Sequence, residues 1–141
     1  MTYVRKRSGT RAVAPLVLCV DDDDDGRDLC ATCLQRAGYA TVEAANGGDA
    51  VMLAKQVRPS LVLLDLVLPG IDGWTVATIL RSDELTRDIP LVAFTASVFP
   101  EHRARALEVG CVAFVEKPVA PEVLVGVVTR ILGQRAAARR V

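Results

Sequence analysis

The stretch LVLLDLVLPGIDG, residues 61–73, decides the architecture. Leu61 to Leu64 is apolar without alternation, bounded by Arg58-Pro59 before it and Asp65 after it. A strand that is apolar on both faces belongs in a sheet covered on both faces, which points to a parallel sheet between layers of helices. Pro69, Gly70 and Gly73 then break the chain before a helix over Trp74 to Leu80. The same alternation recurs on both sides. Upstream, Leu16 to Val20 reads as a strand and Asp25 to Ala37 as a helix with Leu29, Cys33, Leu34 and Ala37 at helical spacing and Gly38 as its stop. Thr41 to Ala44 is a weak strand, and Gly48 to Val57 a helix with Ala50, Leu53, Ala54 and Val57 on one face. Downstream come a strand over Leu91 to Phe94, a helix from Pro100 to Val109, a strand over Val112 to Val115, and a helix from Pro121 through Leu132. Strand and helix therefore alternate five times, which implies right-handed crossovers and helices on both faces of one parallel sheet.

The 141-residue chain is half apolar, enough for one domain with one core. Its net charge is zero but unevenly spread. Seven of the seventeen basic residues lie in the two ends, which hold no acid. Ten then stand against seventeen acids between Leu16 and Leu132, a formal charge of about −7. Such a body suits cations and disfavours nucleic acid. Residues 1–15 and 133–141 are expected to be basic, disordered tails flanking a domain over 16–132. No apolar stretch approaches the ~20 residues that span a bilayer, so a soluble, cytoplasmic protein is expected. The basic start and the run Ala12 to Val20 only faintly resemble a secretion signal, because five aspartates follow at once. The four cysteines form no disulfide framework and read as reduced, buried thiols. Cys30-x-x-Cys33 lacks the second Cys/His pair of a zinc site and the βαβ context of a redox motif.

In open parallel sheets the ligand crevice lies beyond the carboxyl ends of the strands. Here those ends carry Asp21 and Asp22, Asp65, Thr95, and Lys117 followed by Pro118. Each alone has an ordinary explanation as a cap or a surface charge. Together, three carboxylates on one crevice would repel one another unless a cation neutralised them, and an all-oxygen site with room for water suits Mg²⁺. An aspartate is also a nucleophile toward phosphoryl groups, while a metal and a lysine offset charge on the transferred oxygens. Asp65 is the best-placed nucleophile.

These residues resemble the receiver domains of two-component response regulators, of the stand-alone type. The likeness rests on VLCVDDD at 17–23, LLDLVLPGIDG at 63–73, FTAS at 94–97 and FVEKP at 114–118, and it covers almost the whole body. It implies a flavodoxin-like (βα)5 fold with strand order 2-1-3-4-5. It implies that Asp65 is the phosphoacceptor and that Asp22 binds Mg²⁺ directly. Asp21 would mainly hold a coordinated water, and the Val67 carbonyl would add a ligand. Thr95 and Lys117 would contact the phosphoryl oxygens. The donor would be a histidine kinase or a histidine phosphotransfer protein. Output would pass to a downstream protein partner through a switch of Thr95 and Phe114 that reshapes helix four, strand five and helix five. Such a protein is no enzyme beyond its own phosphorylation and dephosphorylation. Asp23, Asp24 and Asp25 exceed the family's acidic pair and read as capping or solvated acids.

Other readings are weaker. A haloacid-dehalogenase-type phosphatase would take its nucleophile from the first strand and needs a late acidic pair that is missing. A receiver-like module working without phosphate would not need the intact acceptor set. A DNA-binding regulator would need more than the nine residues after Leu132. His102, the only histidine, reads as a surface residue on the polar side of helix four. Val67 and Ser97 would flank a water attacking the acyl phosphate, and because Val67 cannot orient it, slow self-dephosphorylation is expected. Helix five is expected to turn Val123, Leu124, Val127, Val128, Ile131 and Leu132 inward. Val125 then lies off that stripe, where a homodimer contact is the alternative to an isolated exposed valine.

Overall fold

The computed structural model describes residues 13–97 and 99–139. Five strands, β1 (Leu16–Val20), β2 (Ala40–Ala44), β3 (Leu61–Leu64), β4 (Leu91–Thr95) and β5 (Cys111–Glu116), alternate with five helices. These are α1 (Asp24–Arg36), α2 (Gly47–Val57), α3 (Gly73–Ser82), α4 (Pro100–Glu108) and α5 (Pro121–Arg139). All strand pairs are parallel, in the order β2-β1-β3-β4-β5, the expected flavodoxin-like arrangement.

Strand period sorts the core into two layers, since successive side chains point to opposite faces. Leu18, Val20, Val62 and Leu64 face α2, α3 and α4 and pack on Ala50, Ala54, Val76, Ala77 and Leu80. Val17, Cys19, Leu61 and Leu63 face α1 and α5 and pack on Cys30, Leu34, Leu124 and Val128. Truncating one of these fully buried leucines to alanine costs about 2–5 kcal/mol, transfer and cavity together.

The helices end where local chemistry stops them. Asp23 caps α1 by accepting from Gly26 N at 3.1 Å, Asn46 caps α2 through Asp49 N, and Asp72 caps α3 through Thr75 N. Gly38 and Gly110 follow α1 and α4 with φ of 100° and 102°, a region that favours glycine.

Three expectations change. Helix α5 does not end at Leu132 but continues to Arg139. A lone Gly133 only weakens a helix, and the alanines and arginine after it are strong helix formers. Its buried stripe is Leu124, Val128 and Ile131, while Val123 is exposed and Val125 packs half-buried against the core. Leu29 of α1 and Ala37 just after it likewise face outward, and Cys30, Ala31 and Leu34 face in. At the amino end Ala14 is buried, so ordered structure begins before Leu16, and residues 1–12 lie outside the described set.

Candidate functional site

Register brings the site together. Val20 pairs with Leu64, so Asp21 and Asp65 occupy the next positions of β1 and β3. Asp65 N donates to Val20 O at 3.0 Å and Asp21 N to Ala44 O at 3.1 Å, which extends the ladder past the last paired residues. On the other side Thr95 pairs with Glu116, and Lys117 N donates back to Thr95 O at 2.9 Å. The Lys117-Pro118 peptide is cis.

Asp21, Asp22 and Asp65 each place a carboxylate oxygen within 4.8 Å of the others. Asp21 and Asp65 are buried and Asp22 is exposed. Lys117 Nζ donates to Asp21 Oδ2 at 2.5 Å and to Asp65 Oδ2 at 3.2 Å. Its ammonium sits over Phe94, with Nζ 5.0 Å from the ring centroid. Burial disfavours the Lys117 charge, but its bonds and proximity to Asp21 and Asp65 more than offset this and raise its pKa. The remaining carboxylate oxygens are fixed by backbone. Asp23 N donates to Asp21 Oδ1 at 2.9 Å, and Val67 N to Asp65 Oδ1 at 3.0 Å.

Two positioning groups take roles that the sequence did not reveal. Arg27 donates from Nη1 to Asp21 O at 2.8 Å while also pairing with Asp24 and Glu43, so it locks α1 to the end of β1. Gly73 lies so close to β3 that a Cβ there would stand 2.4 Å from Asp65 O and from Leu66 Cα. The role of Arg27 depends on contacts between segments, and Gly73, legible as a chain break, gives no sign in the sequence of how closely the chain passes β3 there.

Thr95 is fully buried at the crevice, and its Oγ1 finds no hydrogen-bond partner among the described residues. Phe114 is half-buried against the α3–α4 side of the core, with the Arg103 guanidinium 5.0 Å from its ring centroid. His102 is not a free surface residue. It is half-buried, bonded to the Ser97 hydroxyl and stacked edge-on against Trp74 and Phe99 at 5.0 and 5.2 Å. Among the other expected acids, Asp23 caps α1 and Asp24 pairs with Arg27.

Hard oxygen donors crowded on one edge, with one lysine as their only cationic side-chain partner and a buried hydroxyl left unpaired beside them among the described residues, fit a small divalent cation and an incoming oxyanion. A doubly wound parallel sheet with this acidic edge defines an α/β domain whose ligand crevice lies beyond the carboxyl ends of its strands. The chain belongs to the response regulator receiver domain family, whose model matches residues 17–129. It is 38% identical over 120 residues to the phosphate regulon transcriptional regulatory protein PhoB of Pseudomonas aeruginosa, a match covering 85% of this chain and 52% of PhoB. It is 32% identical over 117 residues to the polar-differentiation response regulator DivK of Brucella anthropi, covering 83% of this chain and 95% of DivK. The chain thus spans about half the length of PhoB and nearly all of DivK. Among solved structures, the receiver domain of the sensor histidine kinase PA1611 of Pseudomonas aeruginosa superposes with a TM-score of 0.79 at 28% identity, covering 85% of this chain and 98% of that one. That structure was described with a magnesium ion coordinated in its active-site cleft. Among the described residues no helix is long and apolar enough to cross a membrane.

Proposed function

We propose that Asp65 accepts a phosphoryl group from the phosphohistidine of a histidine kinase or phosphotransfer protein, and that the chain signals to a downstream protein in the cytoplasm through the resulting change of shape. The observation that carries this reading is Lys117 bridging Asp21 and Asp65 beside the unpartnered Thr95 hydroxyl. A carboxylate oxygen of Asp65 attacks phosphorus, the bond from phosphorus to the donor imidazole breaks, and the imidazole leaves with its electron pair. Lys117 and Thr95 then each donate to a phosphoryl oxygen, which stabilises charge where it develops. Asp21, Asp22, Asp65 and the Val67 carbonyl would hold Mg²⁺, which when bound offsets the negative charge of the transferred group.

Movement of Thr95 toward the phosphoryl group gives its hydroxyl a bond it otherwise lacks, and so biases a two-state switch. Phe114, on the neighbouring strand, is the residue whose packing would change with it, altering the α4–β5–α5 surface. Dephosphorylation is slow in this reading. The Val67 side chain is exposed at the mouth of the crevice but cannot orient a water, and the Ser97 hydroxyl is engaged by His102. Loss of label within seconds from purified phosphoprotein in Mg²⁺ buffer would overturn that rate.

Incubation with Mg²⁺ and acetyl phosphate, followed by intact-mass measurement, tests the acceptor. One phosphate adduct is expected in the wild type and none in Asp65→Asn. An adduct retained by the variant, or none in wild type with Mg²⁺ shown to bind, removes Asp65 from this role.

A further inference from the structure

The sequence offers Cys30-x-x-Cys33 as its cysteine motif, but the fold gives Cys30 a different neighbour. Cys19 on β1 and Cys30 on α1 face each other across the α1–α5 layer of the core, with sulfurs 4.0 Å apart. Cys33 is a poor partner. Helical neighbours three apart hold their Cβ atoms ≈ 5–6 Å from one another, whereas a disulfide needs about 3.5–4.5 Å. Cys30 lines a cleft of about 230 Å³ together with the more exposed Cys33, Phe94, Lys117 and Leu124, while Cys19 lies behind it at 2% exposure. A small oxidant entering the cleft meets Cys30 or Cys33 before Cys19, and of those two it is Cys30 that has the Cys19 sulfur 4.0 Å away to resolve it. Cys111, on the other face, is buried apart from this pair, and burial pushes its thiol up to about 11.

We propose that Cys19 and Cys30 form a reversible disulfide driven by hydroperoxides, and that this bond suppresses phosphorylation of Asp65. The Cys30 sulfur attacks one peroxide oxygen and the O–O bond breaks, which leaves a sulfenic acid and, from hydrogen peroxide, water. The Cys19 sulfur attacks the sulfenyl sulfur, the S–S bond forms and the S–O bond breaks, and the departing oxygen takes the remaining proton as a second water. Two thiols have been oxidised by two electrons and one peroxide reduced by two. Dithiothreitol reverses the step by thiol exchange.

Closing the sulfurs from 4.0 Å to about 2.0 Å draws α1 toward β1. The strain reaches the acidic site directly. Cys19 is two residues before Asp21 on the same side of β1, Asp23 at the start of α1 bonds to Asp21 Oδ1, and Arg27 of α1 bonds to Asp21 O. Misplacement by about 1 Å at a reacting centre costs on the order of 10²-fold. Oxidised protein is therefore expected to accept phosphate about tenfold to a hundredfold more slowly, and to bind Mg²⁺ more weakly.

This consequence rests on the phosphoacceptor reading, so the test separates the two. Folded, fully reduced protein is treated with hydrogen peroxide, alkylated, and mapped by peptide mass, with Cys19→Ala, Cys30→Ala and Cys33→Ala alongside and thermal unfolding as the check on folding. The expected result is loss of two hydrogens in wild type and Cys33→Ala, mapped to Cys19–Cys30 and undone by dithiothreitol, with neither of the other variants forming it. Phosphorylation by acetyl phosphate and Mg²⁺ affinity are then compared in the oxidised and reduced forms of Cys33→Ala. A bond to Cys33, stable over-oxidation of Cys30 without a disulfide, or an oxidised form with unchanged Mg²⁺ affinity and unchanged phosphorylation overturns the proposal. Reduced protein that takes no phosphate refutes the acceptor reading instead. The disulfide is then judged by its mapping and by Mg²⁺ affinity alone.

Discussion

The crevice has two halves built on opposite principles. On the β1–β3 side, every carboxylate oxygen of Asp21 and Asp65 is held, by Lys117, Asp23 N or Val67 N, and Arg27 and the close approach of Gly73 fix the backbone beneath. On the β4 side, Thr95 is buried with its hydroxyl unpaired, and the loop beyond it is held by the Ser97–His102 bond and edge-on aromatic contacts. Charge chemistry needs groups that do not move as charge develops. A switch needs a group with something to gain by moving. In the function proposed above, one edge of one sheet would supply both, because its groups come from different strands.

Removing Lys117 strikes the fixed half hardest. Lys117→Ala leaves buried Asp21 and Asp65 without their shared cation, and phosphorylation from acetyl phosphate should fall about 10²- to 10³-fold. Without Mg²⁺ the variant should unfold at lower temperature than wild type, and Mg²⁺ should restore more stability to it than to wild type, since the metal no longer competes with the ammonium. The sign of the pH dependence follows from the raised pKa of Lys117. Its contribution is complete below the ordinary lysine range and is lost as pH rises through the raised value, so wild type and variant should converge in stability at strongly alkaline pH. Equal Mg²⁺ effects on both proteins would show that the lysine and the metal do not share this site.

Gly73→Ala tests the same half through its backbone. The added Cβ meets Asp65 O and Leu66 Cα at 2.4 Å, neither of which can rotate away. Overpacking of this kind costs about 1–3 kcal/mol, and because the strain falls on Asp65, the proposed acceptor, the phosphorylation rate should fall along with the melting temperature. A variant as stable as wild type would mean that the β3–α3 connection yields, and that half of the site is less fixed than its contacts imply.

The strand ends were legible in the sequence because a polar residue terminating an apolar run marks both the end of a strand and the edge where ligands bind; Asp21, Asp65, Thr95 and Lys117 all stand at such ends. The capping role of Asp23 was legible because capping is local. Orientation around helices was less so. Leu29 and Val123 are apolar at helical spacing yet face out, because the direction of each helix stripe is set by where the neighbouring helix crosses, which composition does not record. The reach of α5 to Arg139 was hidden for a related reason. A glycine is a stop only where the chain takes the left-handed turn, as at Gly38 and Gly110, and Gly133 does not. Arg27 and the pairing of Cys30 with Cys19 depend on contacts between segments and had no local sign, while Gly73 was legible as a break but not as a close approach to β3.

The smallest effect decides whether the second half is built as a switch. Thr95→Val keeps the side-chain shape and removes a hydroxyl that is fully buried without a partner. An unsatisfied buried polar group carries a desolvation penalty of about 1–3 kcal/mol, so the variant should be as stable as wild type or more stable by about 1 kcal/mol in urea unfolding. The adduct should still form on Asp65, because Lys117 and the carboxylates are untouched, while hydrogen exchange along α4 and β5 should cease to respond to phosphorylation. The two readouts point in opposite directions, which a merely structural threonine would not produce. A destabilised variant would place a partner on Oγ1 in the unphosphorylated protein. The unsatisfied hydroxyl would then no longer supply the driving force for the switch, and the contrast between the two halves of the crevice would reduce to one of charge alone.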